Sequence, residues 1–216
     1  MSASESSASA GNYVVFASAN AGKIKELDAL LKPLGFALRP QADFRIEPVD
    51  ETATTFVENA LLKARNATRI AGIPAIADDS GLEVDALNGA PGLYSARHAE
   101  RHGRGQGDVD NYRFLLEQLE GLAVEQRSAR FRCVVVYLRH PDDPSPRIAQ
   151  GSWEGHILQA AVDGGGFGYD PVFCNHDTNQ AASLLDKATK NRLSHRGKAV
   201  NALLLALSTE PARKPD

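Results

Sequence analysis

The sequence predicts an α/β fold built on a mixed, rather than purely parallel, sheet. Three observations carry that prediction. Short apolar runs of strand length alternate with segments of helical period in the first half of the chain. Two β-type runs, 131–138 and 147–154, flank a Pro- and Asp-rich connection, Pro141 to Pro146, that reads as a hairpin. A capped helix with one apolar face closes the chain. A hairpin within an alternating α/β pattern makes the sheet mixed.

The elements follow in order. Residues 1–11 are mostly Ser and Ala and are expected to be a disordered tail, as are residues 210–216; residues 12–209 are expected to form a single domain. Tyr13 to Ser18 reads as a buried strand. Asn20 can cap a helix with Leu27, Leu30 and Leu31 on its inner face, ended by Pro33 and Gly35. Thr55 and Glu58 have capping-box spacing for a second helix. Val57, Leu61, Ala64, Thr68 and Ala71 recur along it at helical intervals, and Gly72 and Pro74 close it. A short strand, Ala75 to Ala77, runs into Asp78-Asp79-Ser80-Gly81. Arg101 to Asp108 reads as a loop and Val109 to Leu119 as a helix. After the hairpin, Gly164 to Gly168 is a flexible loop ahead of Tyr169. Ser194 caps the last helix, with Val200, Leu203, Leu204 and Leu207 inward.

Composition narrows the function. With 216 residues the chain can bury a sizeable core, and 43% hydrophobic with 24% charged residues is ordinary for a globular protein. The net charge of −3 gives no global attraction to nucleic acid or an anionic membrane, so an anionic ligand has to be met by a local cluster of cations. Cys133 sits in an apolar run and reads as a buried free thiol; with Cys174 it forms no metal-type spacing or disulfide framework. No apolar segment approaches the about 20 residues that span a bilayer, and the N-terminus has no signal-peptide pattern. A cytoplasmic location is the expectation.

Five segments could carry chemistry. Ser18-Ala19-Asn20-Ala21-Gly22-Lys23 joins a strand to a helix through small residues, a place where phosphate can meet helix N–H groups and a lysine; a capped helix start with a surface lysine reads equally well. Asp78 and Asp79 follow an apolar strand, where paired acids either hold a hard cation or form a plain turn. Glu51, in the acidic stretch before the second helix, could add a ligand, and Lys63 follows within that helix. Gly164 to Gly168 lets the backbone pass close to a ligand, and Phe167, flanked by glycines, could stack on a base. Lys187, Lys190, Arg192, Arg196 and Lys198 crowd the last helix. His195 and Arg196 sit at its start, where cations oppose the dipole, so an acceptor group is expected nearby. His98 and His102 have helical metal-pair spacing in loop-like surroundings, and Ser80 lacks a nucleophile-elbow context.

Taken in register, six of the motifs resemble the inosine triphosphate pyrophosphatase, or Ham1-like, family. They are Ser18 to Lys23, Thr55 to Ala60, Ala77 to Leu82, Gly89 to Arg97, Gly166 to Pro171 and Ser194 to Gly197. The resemblance spans about Tyr13 to Leu207. It implies an elongated mixed β-sheet dividing two α/β lobes with the substrate in the cleft, and a homodimer. It implies an Mg²⁺-dependent enzyme that converts non-canonical purine nucleoside triphosphates, such as the inosine and xanthosine forms, to the monophosphate and pyrophosphate. By the same resemblance Ser18, Ala19, Asn20, Ala21, Gly22 and Lys23 hold the triphosphate with Lys63, and Glu51 and Asp79 bind the metal, Asp79 being the base. Ser80, Phe167, Gly168, Tyr169, Asp170, Lys190, His195 and Arg196 contact the substrate, with His195 and Arg196 able to offer donors to a 6-oxo purine. Ser183 departs from the family, which commonly has an acid there. A pyrophosphatase for modified pyrimidine nucleotides fits the Gly166 and Ser194 motifs less well. A non-catalytic nucleotide sensor leaves the cluster of acids beside phosphate unexplained.

Overall fold

The computed structural model describes residues 12–32 and 35–208. The expected tails and the helix-ending Pro33 lie outside the described residues. Along the chain come β1 (Asn12–Phe16), α1 (Ala21–Leu31), β2 (Phe36–Pro40), α2 (Phe56–Ala71), β3 (Ala75–Val84), β4 (Pro91–Gly92) and α3 (His98–Arg101). Then follow α4 (Gly107–Gln118), β5 (Ser128–Leu138), β6 (Arg147–Ile157), β7 (Phe173–Asn175), β8 (Gln180–Ala181), α5 (Lys187–Leu193) and α6 (His195–Ser208). The strands form one 8-stranded sheet in the order β2-β1-β3-β5-β6-β7-β8, with β4 beside β3. β1 runs parallel to β2 and β3, and every other pairing is antiparallel, so the sheet is mixed as expected.

Local sequence accounts for the helix ends. Asn20 Oδ1 accepts from the N–H groups of Gly22 and Lys23 at 2.9 and 3.1 Å, and Leu27 and Leu31 are fully buried. Thr55 Oγ1 caps α2 by accepting from the Glu58 N–H, and the Thr55 hydroxyl donates to the Glu58 carboxylate at 2.7 Å. Ser194 accepts from the Gly197 N–H at the start of α6.

Three apolar clusters fill the molecule. One packs α1 and α6 on one face of β1, β3 and β5, through Phe16, Leu27, Ile76, Val135 and Leu203. A second packs α2 on the opposite face, through Val15, Ala60, Ala64, Ala77 and Val136. The third lies at the far end of the long strands, where Leu82, Leu115, Phe131, Trp153 and Phe173 meet. The long strands β3, β5 and β6 thus run through two differently covered halves, as the expected two-lobed division requires.

Some local expectations change. Asp78-Asp79-Ser80-Gly81 is neither a turn nor a strand end: β3 continues through it to Val84, paired with β5 at Asp78↔Val135 and Asp79↔Val134. Strand partners for the backbone and cationic partners for the carboxylates override the turn propensity. α4 starts at Gly107, two positions before the expected Val109. β2, β4, β7, β8, α3 and α5 were not foreseen. α5 had a signal, because Asp186 caps it by accepting from the Thr189 N–H at 2.9 Å.

Candidate active site

The site exists because β1 is short. β1 pairs with β3 only as far as Phe16↔Ile76, and β4 takes up the same edge at Leu82. After a last bond from the Ala17 N–H to the Ile76 carbonyl, the stretch 78–81 has no strand on that side. A cavity of about 350 Å³ opens at the gap. Loops that follow the carboxyl ends of the parallel strands surround it, the usual position for a ligand in an α/β sheet.

Strand alternation sends the two aspartates to opposite faces. Asp78 faces α1 and α6. Its side chain is 1% exposed, Lys23 Nζ lies 2.8 Å away and Arg196 Nε 3.5 Å. Burial alone would raise its pKa, but Lys23, Arg196 and Lys63 together hold it far below the ordinary carboxylate range. Asp79 faces α2, where Lys63 Nζ approaches at 3.1 Å and Asn59 Nδ2 donates at 3.2 Å. Burial and then the neighbouring Glu51 charge, opposed by Lys63, leave its pKa raised. Glu51 meets Lys63 at 2.8 Å.

The cation between Glu51 and Asp79 is therefore the Lys63 ammonium. Burial pushes the Lys63 pKa down, but Asp79, Asp78 and Glu51 outweigh it and raise it. Lys63, expected to bind phosphate, lines the cavity and pairs with these two carboxylates. Two hard oxygen donors that converge on one cation suit Mg²⁺, which takes one or two carboxylates and completes its shell from phosphate and water. Among the described residues no group of three or more His, Cys, Asp or Glu side chains is placed to hold a metal ion.

Within the segment 18–23, Ser18, Ala19, Asn20 and Lys23 line the cavity. The Gly22 and Lys23 amides bind Asn20 Oδ1, and the Asn20 amide binds Ser18 Oγ, so the turn is braced by its own side chains. Gly22 lets the Phe167 ring pack closely: a Cβ there would lie 3.1 Å from the ring and press it aside. Phe167 lies half-buried over α1, with Lys190 Nζ 4.8 Å from its ring centroid.

The glycine loop is held by acids. Asp170 accepts from the Phe167 N–H at 2.8 Å and pairs with Lys190 at 2.7 Å. Asp108 accepts from the Gly168 N–H at 2.7 Å. Tyr169 is buried and donates its hydroxyl to the Ser95 carbonyl, so it forms wall rather than a free polar contact. Ser183, the family departure, donates to the Val162 carbonyl at 3.0 Å while its own carbonyl accepts from Gly165, fixing the base of the loop without an acid.

At the start of α6 the expected acceptors are present. Arg196 is buried and donates to Glu26, Asp78 and Ser80. This leaves two of its five N–H groups for any base. His195 stacks on Phe131 at 4.7 Å and 11°. Burial first, then Arg196, keeps its pKa well below the ordinary value, so the ring is neutral at pH 7. Asp78 Oδ1 and His195 Nδ1 are, among the described residues, buried polar atoms without a partner. A cβ-free Gly151 lets α6 sit this close, since a side chain there would meet the His195 carbonyl at 2.1 Å.

Sequence reasoning missed Glu26 and Asn59. Glu26 follows Lys23 by three residues, hence on the same side of α1. Asn59, Lys63 and Asn66 form a polar stripe at i, i+4 and i+7 of α2, a legible signal. His98 and His102, whose spacing alone suggests a metal pair and whose surroundings argue against it, bond elsewhere: His98 to Gln118 and His102 to the His98 carbonyl.

Fold and cavity define an α/β protein with a cleft lined by paired acidic and basic side chains. The sequence matches the Ham1 family over residues 14–206, and the chain belongs to that family. It is 54% identical over 191 residues to a dITP/XTP pyrophosphatase of Thioalkalivibrio sulfidiphilus, covering 88% of this chain and 96% of that protein. It is 52% identical over 194 residues to one of Photobacterium profundum, covering 90% and 97%. The structure resembles a HAM1 protein from Coxiella burnetii with a TM-score of 0.83 at 41% identity, covering 92% of this chain and 99% of that one.

Proposed function

We propose that the protein hydrolyses non-canonical purine nucleoside triphosphates, the inosine and xanthosine forms including dITP, to the monophosphate and pyrophosphate, clearing them from the cytoplasmic nucleotide pool. The observation that carries the reading is the Asp78–Asp79 pair. Neighbouring carboxylates on one strand face opposite sides: Asp78 is locked between Lys23 and Arg196, while Asp79 lines the cavity beside Lys63, which separates a fixed charge from a proton acceptor.

In this reading Asp79 accepts a proton from the water that attacks the α-phosphorus. The bond from that phosphorus to the oxygen bridging the α- and β-phosphates breaks, and pyrophosphate leaves with the bridging oxygen. Glu51 and Asp79 would hold Mg²⁺, which would supply positive charge to the phosphates. Lys23 and Lys63 add cationic charge from the two sides of β3. Asp78 keeps Lys23 and Arg196 in place. Phe167 offers a stacking face, and neutral His195, which lines the cavity, offers its ring to the edge of the base. Function as a homodimer belongs to the same proposal and is checked by light scattering. No helix among the described residues is long and apolar enough to cross a membrane.

The test is pyrophosphate release from a panel of inosine, xanthosine, adenosine, guanosine and pyrimidine triphosphates, with Mg²⁺ and with chelator. Equal turnover of ATP and inosine triphosphate would sink the selectivity for non-canonical purines. Release of single phosphates would sink the pyrophosphatase part.

A further inference from the structure

Asn59 lies in the Thr55 to Ala60 motif and has no part in the function as described. It is 2% exposed, on the face of α2 that meets β3. Its Oδ1 accepts from the Ala53 N–H at 3.1 Å, and its Nδ2 donates to Asp79 Oδ2 at 3.2 Å. The orientation is dictated by the partners. A backbone N–H can only donate, so the amide oxygen must face Ala53 and the amide nitrogen must face the carboxylate. Ala53 is two residues beyond Glu51. One buried amide thus ties the loop bearing Glu51 to the side chain of Asp79, and Lys63 holds the other Asp79 oxygen at 3.1 Å.

We propose that Asn59 is a positioning residue: it fixes the rotation of the Asp79 carboxylate and its spacing from Glu51 by bridging Asp79 to the Ala53 backbone. An aspartate held by Lys63 alone can still turn about its side-chain bonds. With both oxygens bound to groups on one helix, it cannot turn without losing a hydrogen bond to a charged group. The inference rests on Asp79 being the base.

The experiment compares Asn59→Asp with Asp79→Asn. Asn59→Asp keeps the acceptor for Ala53 but turns an oxygen, in place of a donor, toward Asp79. Measured are kcat and KM for inosine triphosphate with Mg²⁺, calorimetric binding of inosine triphosphate in chelator, and the thermal midpoint. The expected result is a kcat loss of about 10- to 100-fold, the kinetic equivalent of one charge-assisted hydrogen bond. KM and metal-free binding stay within about twofold, because the lost contact does not reach the substrate. Native kcat in Asn59→Asp beside an inactive Asp79→Asn overturns the assignment of Asn59 and leaves the base in place. An active Asp79→Asn removes the base itself. A KM that rises as far as kcat falls assigns Asn59 to the cavity wall and overturns positioning. If the new charge unfolds the protein, Asn59→Ala decides, with the same kcat loss expected and native kcat overturning the proposal.

Discussion

Replacing Asp78 and Asp79 by asparagine, one at a time, should separate stability from turnover at adjacent positions. Asp78 has a 1% exposed side chain and sits between Lys23 at 2.8 Å and the buried Arg196. Removing it leaves Lys23 without its acid and Arg196 with Glu26 alone. Breaking one side of a buried ion pair costs about 3–5 kcal/mol. For a chain of this size that is a fall of about 6–20 °C in Tm. The sign with pH follows. A carboxylate whose folded pKa is depressed contributes stability above its unfolded value, and that stability is lost as pH falls through the folded one. Asp78→Asn should therefore lose most at neutral pH and show a flatter acid limb.

Asp79 behaves oppositely. Its folded pKa is raised, so at neutral pH its ionised form is disfavoured by folding, and the penalty vanishes as pH drops below the unfolded value. Asp79→Asn removes that penalty and should leave Tm unchanged or higher. Turnover should still fall by about 10²–10⁴-fold, the range for a lost general base. The assays are thermal unfolding at pH 4 to 8 and pyrophosphate release at saturating inosine triphosphate. A native Tm for Asp78→Asn, or near-native turnover for Asp79→Asn, would refute the division of labour.

Further outcomes are expected. Excess chelator should abolish pyrophosphate release and Mg²⁺ should restore it; full activity in chelator would contradict the role given to Glu51 and Asp79. Phe167→Ala should raise KM for inosine triphosphate and ATP alike, by about 5- to 150-fold for one lost stacking contact; a change confined to one base would make Phe167 a selectivity residue. Arg196→Ala should lower Tm and reduce kcat/KM for both nucleotides together, because it leaves Asp78 and Glu26 without their shared partner; loss of base preference alone, in a fully stable protein, would return base reading to Arg196. His195 is buried neutral, so below about pH 6.5 the unfolded chain binds a proton that the folded one refuses, and stability should fall with a limiting slope of about 1.4 kcal/mol per pH unit. His195→Phe should flatten that slope in urea titrations between pH 5 and 7, and an unchanged slope would assign it elsewhere.

Much of this was legible in the sequence where local rules and tertiary structure agree. The Asn20 cap, the Thr55 helix, the β5–β6 hairpin and the Ser194 cap each follow from residues within one turn of the feature they set. β2, β7 and β8 were not legible because their pairing is decided by distant partners, such as Tyr13↔Ala37 and Cys174↔Ala181. Asp78-Asp79 was the most misleading segment. Its composition favours a turn, and only β5 with the cations from α1, α2 and α6 makes it a strand. The site was legible as a set of segments, and cavity and contacts bring nearly all of them together. Their pairings were not: that Lys63 would sit on Glu51 and Asp79, or Arg196 on Glu26, depends on helix placements that spacing does not encode.

Those pairings bear on how a triphosphate can bind at all. Each cation aimed at the cavity already has an acid: Lys23 has Asp78, Lys63 has Glu51 and Asp79, Lys190 has Glu26 and Asp170, and Arg196 has Glu26 and Asp78. Four cations face five carboxylates, and Glu47 and Asp108 add further acid to the lining. A cavity so balanced has no surplus positive charge for a ligand carrying several negative charges, and it keeps its own charges in order before anything arrives. A triphosphate entering alone would meet net repulsion. Arriving with a divalent cation, it would bring its own compensation and could share the Glu51 and Asp79 oxygens with Lys63. The same pairing leaves the recognition of an uncharged base edge to groups outside the ion pairs. Among the buried side chains at the start of α6, that points to the neutral ring of His195 rather than to the guanidinium beside it.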